Sequence, residues 1–151
     1  MTTSNHDLEA RLACYKKFLG VFSIDTIPKK WKLGDAFITN IEPSSKGGSH
    51  WVCMLNDGLG FYIDPFGLPA PEEIIKLSPR HHANHIQYQS VNSKRCGMYC
   101  VYFVKHFLEG TPVYDMLYKH LTPHASKIND DLVLKEYLRA RCYHEQIGSR
   151  A

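Results

Sequence analysis

The segment Cys96–Glu109, CGMYCVYFVKHFLE, constrains the fold more than any other part of the chain, because it is apolar on nearly every face until Lys105. A helix of that kind cannot lie on a surface; it belongs in the middle of a domain, covered on several sides. Gly110-Thr111-Pro112 ends it. The remaining residues therefore have to supply its cover. From Asp7 to Leu19 the apolar side chains Leu8, Leu12, Tyr15 and Leu19 recur at helical spacing, with Gly20 just past the end, which predicts a first helix. Gly20 to Lys32 contains Pro28 and mixed polarity and reads as an ordered loop. Ala36–Ile41 reads as a strand broken by Pro43–Gly48. His50–Leu55 and Gly60–Asp64 then flank Asn56-Asp57-Gly58, a strong hairpin signal. Pro71–Leu77 predicts a short helix, Pro79–Asn84 a loop and His85–Ser90 a further strand. Val113–Leu121 and Asp130–Arg141 are two weaker helical patterns after the buried helix. This order predicts an α+β fold: a mainly antiparallel sheet with one central buried helix.

With 151 residues, 44% of them hydrophobic, the chain is long enough for one core and is expected to form one domain over residues 1–151. No apolar run approaches the roughly 20 residues that a bilayer span needs. The first thirty residues carry His6, Asp7, Glu9 and Arg11 where a signal peptide would be apolar, so secretion by that route is not expected. The net charge of +3 supports weak attraction to polyanions and nothing sharper. The five cysteines are odd in number and scattered, so no disulfide framework is expected, and Cys14 and Cys142 read as incidental thiols. Cys53 and Cys100 read as small buried hydrophobes.

A thiol protease needs a thiolate, an imidazole that takes and returns its proton, a group that fixes the imidazole tautomer, and donors for the oxyanion. Each is available here at the end of an element. Cys96 opens the buried helix, where free backbone N–H groups and the helix dipole favour an anion. Gly97 follows it and leaves room for a substrate carbonyl. His50 begins one hairpin strand and Asp64 ends the other, so antiparallel pairing brings them to the same end of the sheet. Asp64 accepting the Nδ1 proton would leave Nε2 free to face the Cys96 sulfur. Gln89 can offer a side-chain N–H to the oxyanion beside the Cys96 amide. A metal site drawn from His81, His82 and His85 with Cys96 and Cys100 is disfavoured, since adjacent histidines rarely point at one ion and no paired-cysteine spacing supports zinc.

At these residues the sequence resembles the adenovirus protease family, the adenains. GGSHW at Gly47–Trp51, IDPFG at Ile63–Gly67 and QSVNSKRCG at Gln89–Gly97 are similar to the family's histidine, acid and glutamine-cysteine blocks in order and spacing, and the resemblance covers residues 20–108, including GVFSIDTIP. It implies a papain-like-clan cysteine endopeptidase with His50, Asp64, Gln89 and Cys96 as its reactive set, and Trp51, Gly48 and Gly97 at the substrate. Trp51 reads either as a core aromatic or as the wall of a narrow passage for glycine beside the scissile bond. The implied substrates are viral capsid or core precursor proteins cut next to glycine. The implied setting is a virion or infected cell of viral or virus-derived origin, an adenovirus relative, a virophage or a large self-synthesising transposon; the expected state is a monomer without membrane attachment. Family members commonly carry glutamate where this chain has Asp64. They are activated by DNA and by a peptide joined through a disulfide to a cysteine preceding the glutamine block. No cysteine lies between Cys53 and Cys96, so disulfide attachment of such a peptide is not expected, and the charge of +3 gives DNA stimulation only weak support.

Two other readings stand beside this one. SUMO-type proteases of the same clan share His-Trp, a later Asp and a Gln before Cys-Gly, but commonly have Asp before that cysteine, where Arg95 stands here. A silent module that docks on capsid or DNA would need none of the four reactive groups.

Overall fold

The computed structural model describes residues 4–41, 50–90 and 95–142. Helix α1, Asn5–Leu12, is opened by Ser4, whose hydroxyl accepts from the Asp7 amide while the Asp7 carboxylate accepts from the Ser4 amide. That reciprocal cap satisfies two of the free N–H groups of the first turn. The chain then enters strand β1, Phe18–Ser23, a 3₁₀ turn at Ile24–Thr26, and strands β2, Ala36–Asn40, β3, Trp51–Leu55, and β4, Phe61–Ile63. Helix α2, Glu72–Leu77, and the short strand β5, His82–Ala83, precede the long helix α3, Cys96–Leu108. One turn of α-helix, α4, Val113–Asp115, widens into a π-turn, Met116–His120, and α5, Lys127–Arg139, follows.

The five strands lie in sequence order, β1-β2-β3-β4-β5. The central pairs β2–β3 and β3–β4 are antiparallel, and the outer pairs β1–β2 and β4–β5 are parallel. The architecture is α+β, as the sequence predicts, with parallel strands added at both edges. Strand alternation divides the core in two. Ala36, Ile38, Trp51, Cys53 and Leu55 face α3, with α1 and α5 completing that side. Phe37, Val52, Met54 and Tyr62 face the other way, onto Ile24 and Ile74. Every residue of α3 from Cys96 to Val104 is buried, which is what its all-round apolarity requires; large side chains buried this way are each worth about 1.5–3 kcal/mol.

Several expectations are corrected. The first helix stops at Leu12 and not Leu19: the β-prone FLGVFS pairs with β2, with a register shift between Phe18 and Val21, so sheet pairing overrides the helical spacing. The expected strand His85–Ser90 is not a strand, whereas β5 lies in the expected loop. His85 has a φ of 55°, which breaks an extended run, and the Tyr88 and Gln89 amides donate to the single carbonyl of Pro65 in place of a ladder. α5 starts earlier than expected, at Lys127, because Ser126 caps it by accepting from the Asn129 amide. Cys14 and Cys142 are not incidental thiols but form a disulfide across a sequence separation of 128, with Cα atoms 5.4 Å apart. The ends of α1 and α5 meet because both helices pack on α3, and Arg11 joins them by donating to the Tyr137 carbonyl at 2.9 Å. Cys53, Cys96 and Cys100 remain free thiols and are buried. Among the described residues no helix is long and apolar enough to cross a membrane.

Candidate active site

The hairpin register pairs Cys53 with Ile63 and Leu55 with Phe61. Continued outward, it sets His50 opposite Phe66 and diagonal to Asp64, within reach of a ring and a carboxylate. His50 Nε2 lies 2.8 Å from Asp64 Oδ1, and the His50 ring stacks on Phe66 with centroids 5.2 Å apart. The Cys96 side chain lies close enough to the same imidazole to help hold its proton on. The Trp51 amide also donates to Cys96 Sγ at 3.4 Å, a contact well suited to a thiolate.

The ring therefore sits the other way round from the expectation. Asp64 takes Nε2, which leaves Nδ1 for the sulfur. Cys96 Sγ lies against the backbone amide of the residue next to His50, while the outer ring nitrogen spans to Asp64 at the end of the neighbouring strand. The chemical logic is unchanged, because a carboxylate on one ring nitrogen fixes the tautomer presented by the other. Burial pushes the His50 imidazole towards its neutral form, but the hydrogen bonds to Asp64 and Cys96 and their charges outweigh this and hold its pKa up at about 9.

Asp64 is almost fully buried and is held by a turn. Its Oδ1 also accepts from the Phe66 amide at 2.8 Å, its carbonyl accepts from the Gly67 amide at 2.7 Å, and Oδ2 has no hydrogen-bond partner among the described residues. Asn84 grips the Asp64 backbone at both ends, accepting from its N–H at 3.2 Å and donating to its carbonyl at 2.7 Å. Gly67 has a φ of +74°, and a Cβ there would lie 2.9 Å from the Ile86 carbonyl carbon. Glycine lets the DPFG turn touch the backbone of the segment that carries Gln89. Pro65 then fixes that segment by accepting from the amides of Tyr88, at 2.9 Å, and Gln89, at 3.1 Å.

Gln89 is fully buried, and its segment packs against the first turn of α3, where the Tyr99 hydroxyl lies 3.1 Å from the Tyr88 carbonyl. Gly97 is buried in that same turn. Trp51 is 8% exposed and belongs to the core cluster around α3, so its side chain is a core aromatic while its amide serves the sulfur. Gly48 lies outside the described residues. Cys100 is buried one turn below Cys96 beside Cys53, and burial pushes its thiol pKa well up.

Sequence reasoning missed Phe66, Asn84 and the Trp51 amide. Phe66 could have been found from the hairpin register once His50 was placed, whereas a buried asparagine in a loop carries no sequence signal. Among the described residues no cluster of His, Cys, Asp or Glu is arranged to hold a metal ion, and His81 is engaged with the Ser78 carbonyl at 2.9 Å. A surface groove of about 880 Å³, lined by Phe61, His82, Phe107, Tyr114 and Tyr118 among others, contains none of the reactive residues.

No protein-family model matches the sequence, and no curated protein matches it. Among solved structures, the chain is similar to the crystal structure of the ASFV pS273R protease, with a TM-score of 0.65 at 13% identity over 93% of this chain and 67% of that one. The selenomethionine crystal structure of the same protease aligns with a TM-score of 0.62 at 15% identity, over 94% of this chain and 68% of that one. The chain has the fold of this protease.

Proposed function

We propose that the protein is a cysteine endopeptidase, with Cys96 as nucleophile, His50 as proton carrier, Asp64 as the group that orients it, and the Cys96 amide with the Gln89 side chain as oxyanion donors. The observation that carries this reading is the imidazole of His50 bonded to a buried carboxylate, beside a cysteine that opens a buried helix and takes the amide of the residue next to His50 on its sulfur. The similarity to a protease fold supports it.

The chemistry follows from the arrangement. The Cys96 thiolate attacks the scissile carbonyl carbon, a C–S bond forms and the carbonyl electrons move to oxygen, where the donors receive them. His50 gives its Nδ1 proton to the leaving nitrogen, the C–N bond breaks and a thioester remains. Water then attacks the thioester while His50 takes its proton, and the C–S bond breaks to release the acid and restore the thiolate. Asp64 keeps the Nε2–H bond throughout, so the ring need not turn between steps.

For the substrate we infer viral capsid or core precursor proteins cut beside glycine, in keeping with the adenain-like GGSHW, IDPFG and QSVNSKRCG blocks. The test is hydrolysis of a fluorogenic Leu-x-Gly-Gly peptide by the protein and its Cys96→Ala variant, with and without DNA. Cleavage that disappears with Cys96 is expected, and its response to DNA decides whether a polyanion stimulates it. Preference for a folded ubiquitin-like precursor over the peptide would favour the SUMO-type reading. Alkylation of Cys96 no faster than that of a free thiol, together with absent cleavage, would leave a silent docking module.

A further inference from the structure

The segment that carries Gln89 has no sheet ladder of its own, and a second set of contacts reaches it from α5. Asp130 is 4% exposed and accepts from both ends of Ser90, from its hydroxyl at 2.5 Å on Oδ2 and from its amide at 3.3 Å on Oδ1. The Tyr99 hydroxyl, one turn along α3 from Cys96, donates to the same Oδ1 at 2.6 Å. Asn129 is buried beside it; its side-chain oxygen accepts from the Thr122 amide at 2.8 Å, and its NH₂ donates to the Thr122 and His124 carbonyls and lies 3.3 Å from the Tyr88 carbonyl. One buried carboxylate thus joins the residue after Gln89 to the helix that bears the nucleophile.

We infer that Asp130 is a positioning residue of the oxyanion site: through Ser90 and Tyr99 it fixes the distance between the Gln89 segment and the first turn of α3. The inference rests on the protease reading for its catalytic consequence but not for its geometry. Asp130 does not touch the reacting atoms. Its effect is expected on the step in which negative charge appears on the carbonyl oxygen, because donors must be in place before that charge forms, and a displacement of about 1 Å can cost on the order of a hundredfold. It is not expected on the thiolate itself, which takes the Trp51 amide and stands beside the Asp64-bound His50 on the hairpin side.

The experiment uses Asp130→Asn, which keeps one acceptor but cannot accept from the Ser90 hydroxyl on the other atom, together with Ser90→Ala and the double variant. Three readouts are compared: kcat and KM for the fluorogenic peptide, the rate of Cys96 alkylation by iodoacetamide against pH, and amide hydrogen exchange at residues 88–90. Alkylation displaces iodide without forming an oxyanion, so it reports the thiolate alone. For Asp130→Asn, kcat should fall by roughly tenfold to a hundredfold with KM little changed, the alkylation profile should stay as in the wild type, and exchange at 88–90 should quicken. The double variant should be scarcely slower than the worse single one. An unchanged kcat, or a fall in alkylation that parallels the fall in kcat, would overturn the inference. A wild type that cleaves nothing would count against the protease reading, while exchange at 88–90 would still decide whether Asp130 holds the segment.

Discussion

Gly67→Ala isolates the contact by which the acid block holds the Gln89 segment. At a φ of +74°, an added Cβ would lie 2.9 Å from the Ile86 carbonyl carbon, 3.0 Å from its oxygen and 3.1 Å from the Gln87 nitrogen. All three are backbone atoms, so no flexible side chain can give way. The left-handed conformation alone costs an L-residue roughly 1–2 kcal/mol, and forcing atoms into a filled space adds about 1–3 kcal/mol, for a total of about 2–5 kcal/mol. Relief requires residues 86 and 87 to retreat, which pulls the Tyr88 and Gln89 amides from the Pro65 carbonyl. Gly110 provides the control: its φ is +97° and nothing lies within 4 Å of a Cβ there, so Gly110→Ala carries the backbone cost without the collision. Urea denaturation should show the larger loss for Gly67→Ala, by at least about 1 kcal/mol. Peptide hydrolysis should show kcat lowered about tenfold or more for Gly67→Ala, and unaffected for Gly110→Ala. Equal losses of stability with kcat intact in both would refute the idea that the close approach of the DPFG turn sets the position of Gln89.

The raised pKa of His50, about 9 in the fold against 6.5 ordinarily, gives a pH dependence with a definite sign. The bound proton contributes roughly 3 kcal/mol of stability, fully present below pH 6.5 and lost as pH rises through about 9. Denaturation at pH 6 and pH 10 should therefore differ in that direction, and Asp64→Asn, which removes the carboxylate, should lower the His50 titration followed by NMR and shift the alkaline limb of activity downward. Cys14→Ser opens a cross-link of sequence separation 128, worth up to about 5 kcal/mol by chain entropy. It should lower the melting temperature under oxidising conditions and remove the redox dependence of the melting temperature that the wild type shows, with kcat unchanged.

What could be read in the sequence is what has a local signature. The buried helix shows itself by having no polar face, the hairpin by Asp57-Gly58 between apolar runs, and the reactive residues by standing at the ends of those elements. The structure joins His50 to Asp64, sets the Cys96 sulfur against the Trp51 amide next to His50, and buries Gln89 on a segment held by Pro65. What could not be read depends on distant partners. Phe18–Ser23 becomes a strand only because β2 lies beside it, and Cys14 meets Cys142 only after α1 and α5 have both docked on α3. The orientation of His50 likewise followed from where Cys96 Sγ sits relative to the Trp51 amide, a relation between two elements far apart in sequence.

Residues 85–90 show why the supports of this site are harder to see than its reactive groups. A strand inside a sheet is held by a ladder on each side, and its place is set by the fold as a whole. This segment has instead the Pro65 carbonyl and the Asn84 side chain on one flank, and Asp130, Asn129 and Tyr99 on the other. Its position is the resultant of a few side-chain and turn contacts, so it can shift without unfolding the domain. In the sequence, Asn129 and Asp130 look like ordinary first-turn residues of a capped helix and DPFG like a strand-ending turn. Their meaning lies in converging on one segment from opposite sides, so that α5 helps to hold residues 88–90 in place.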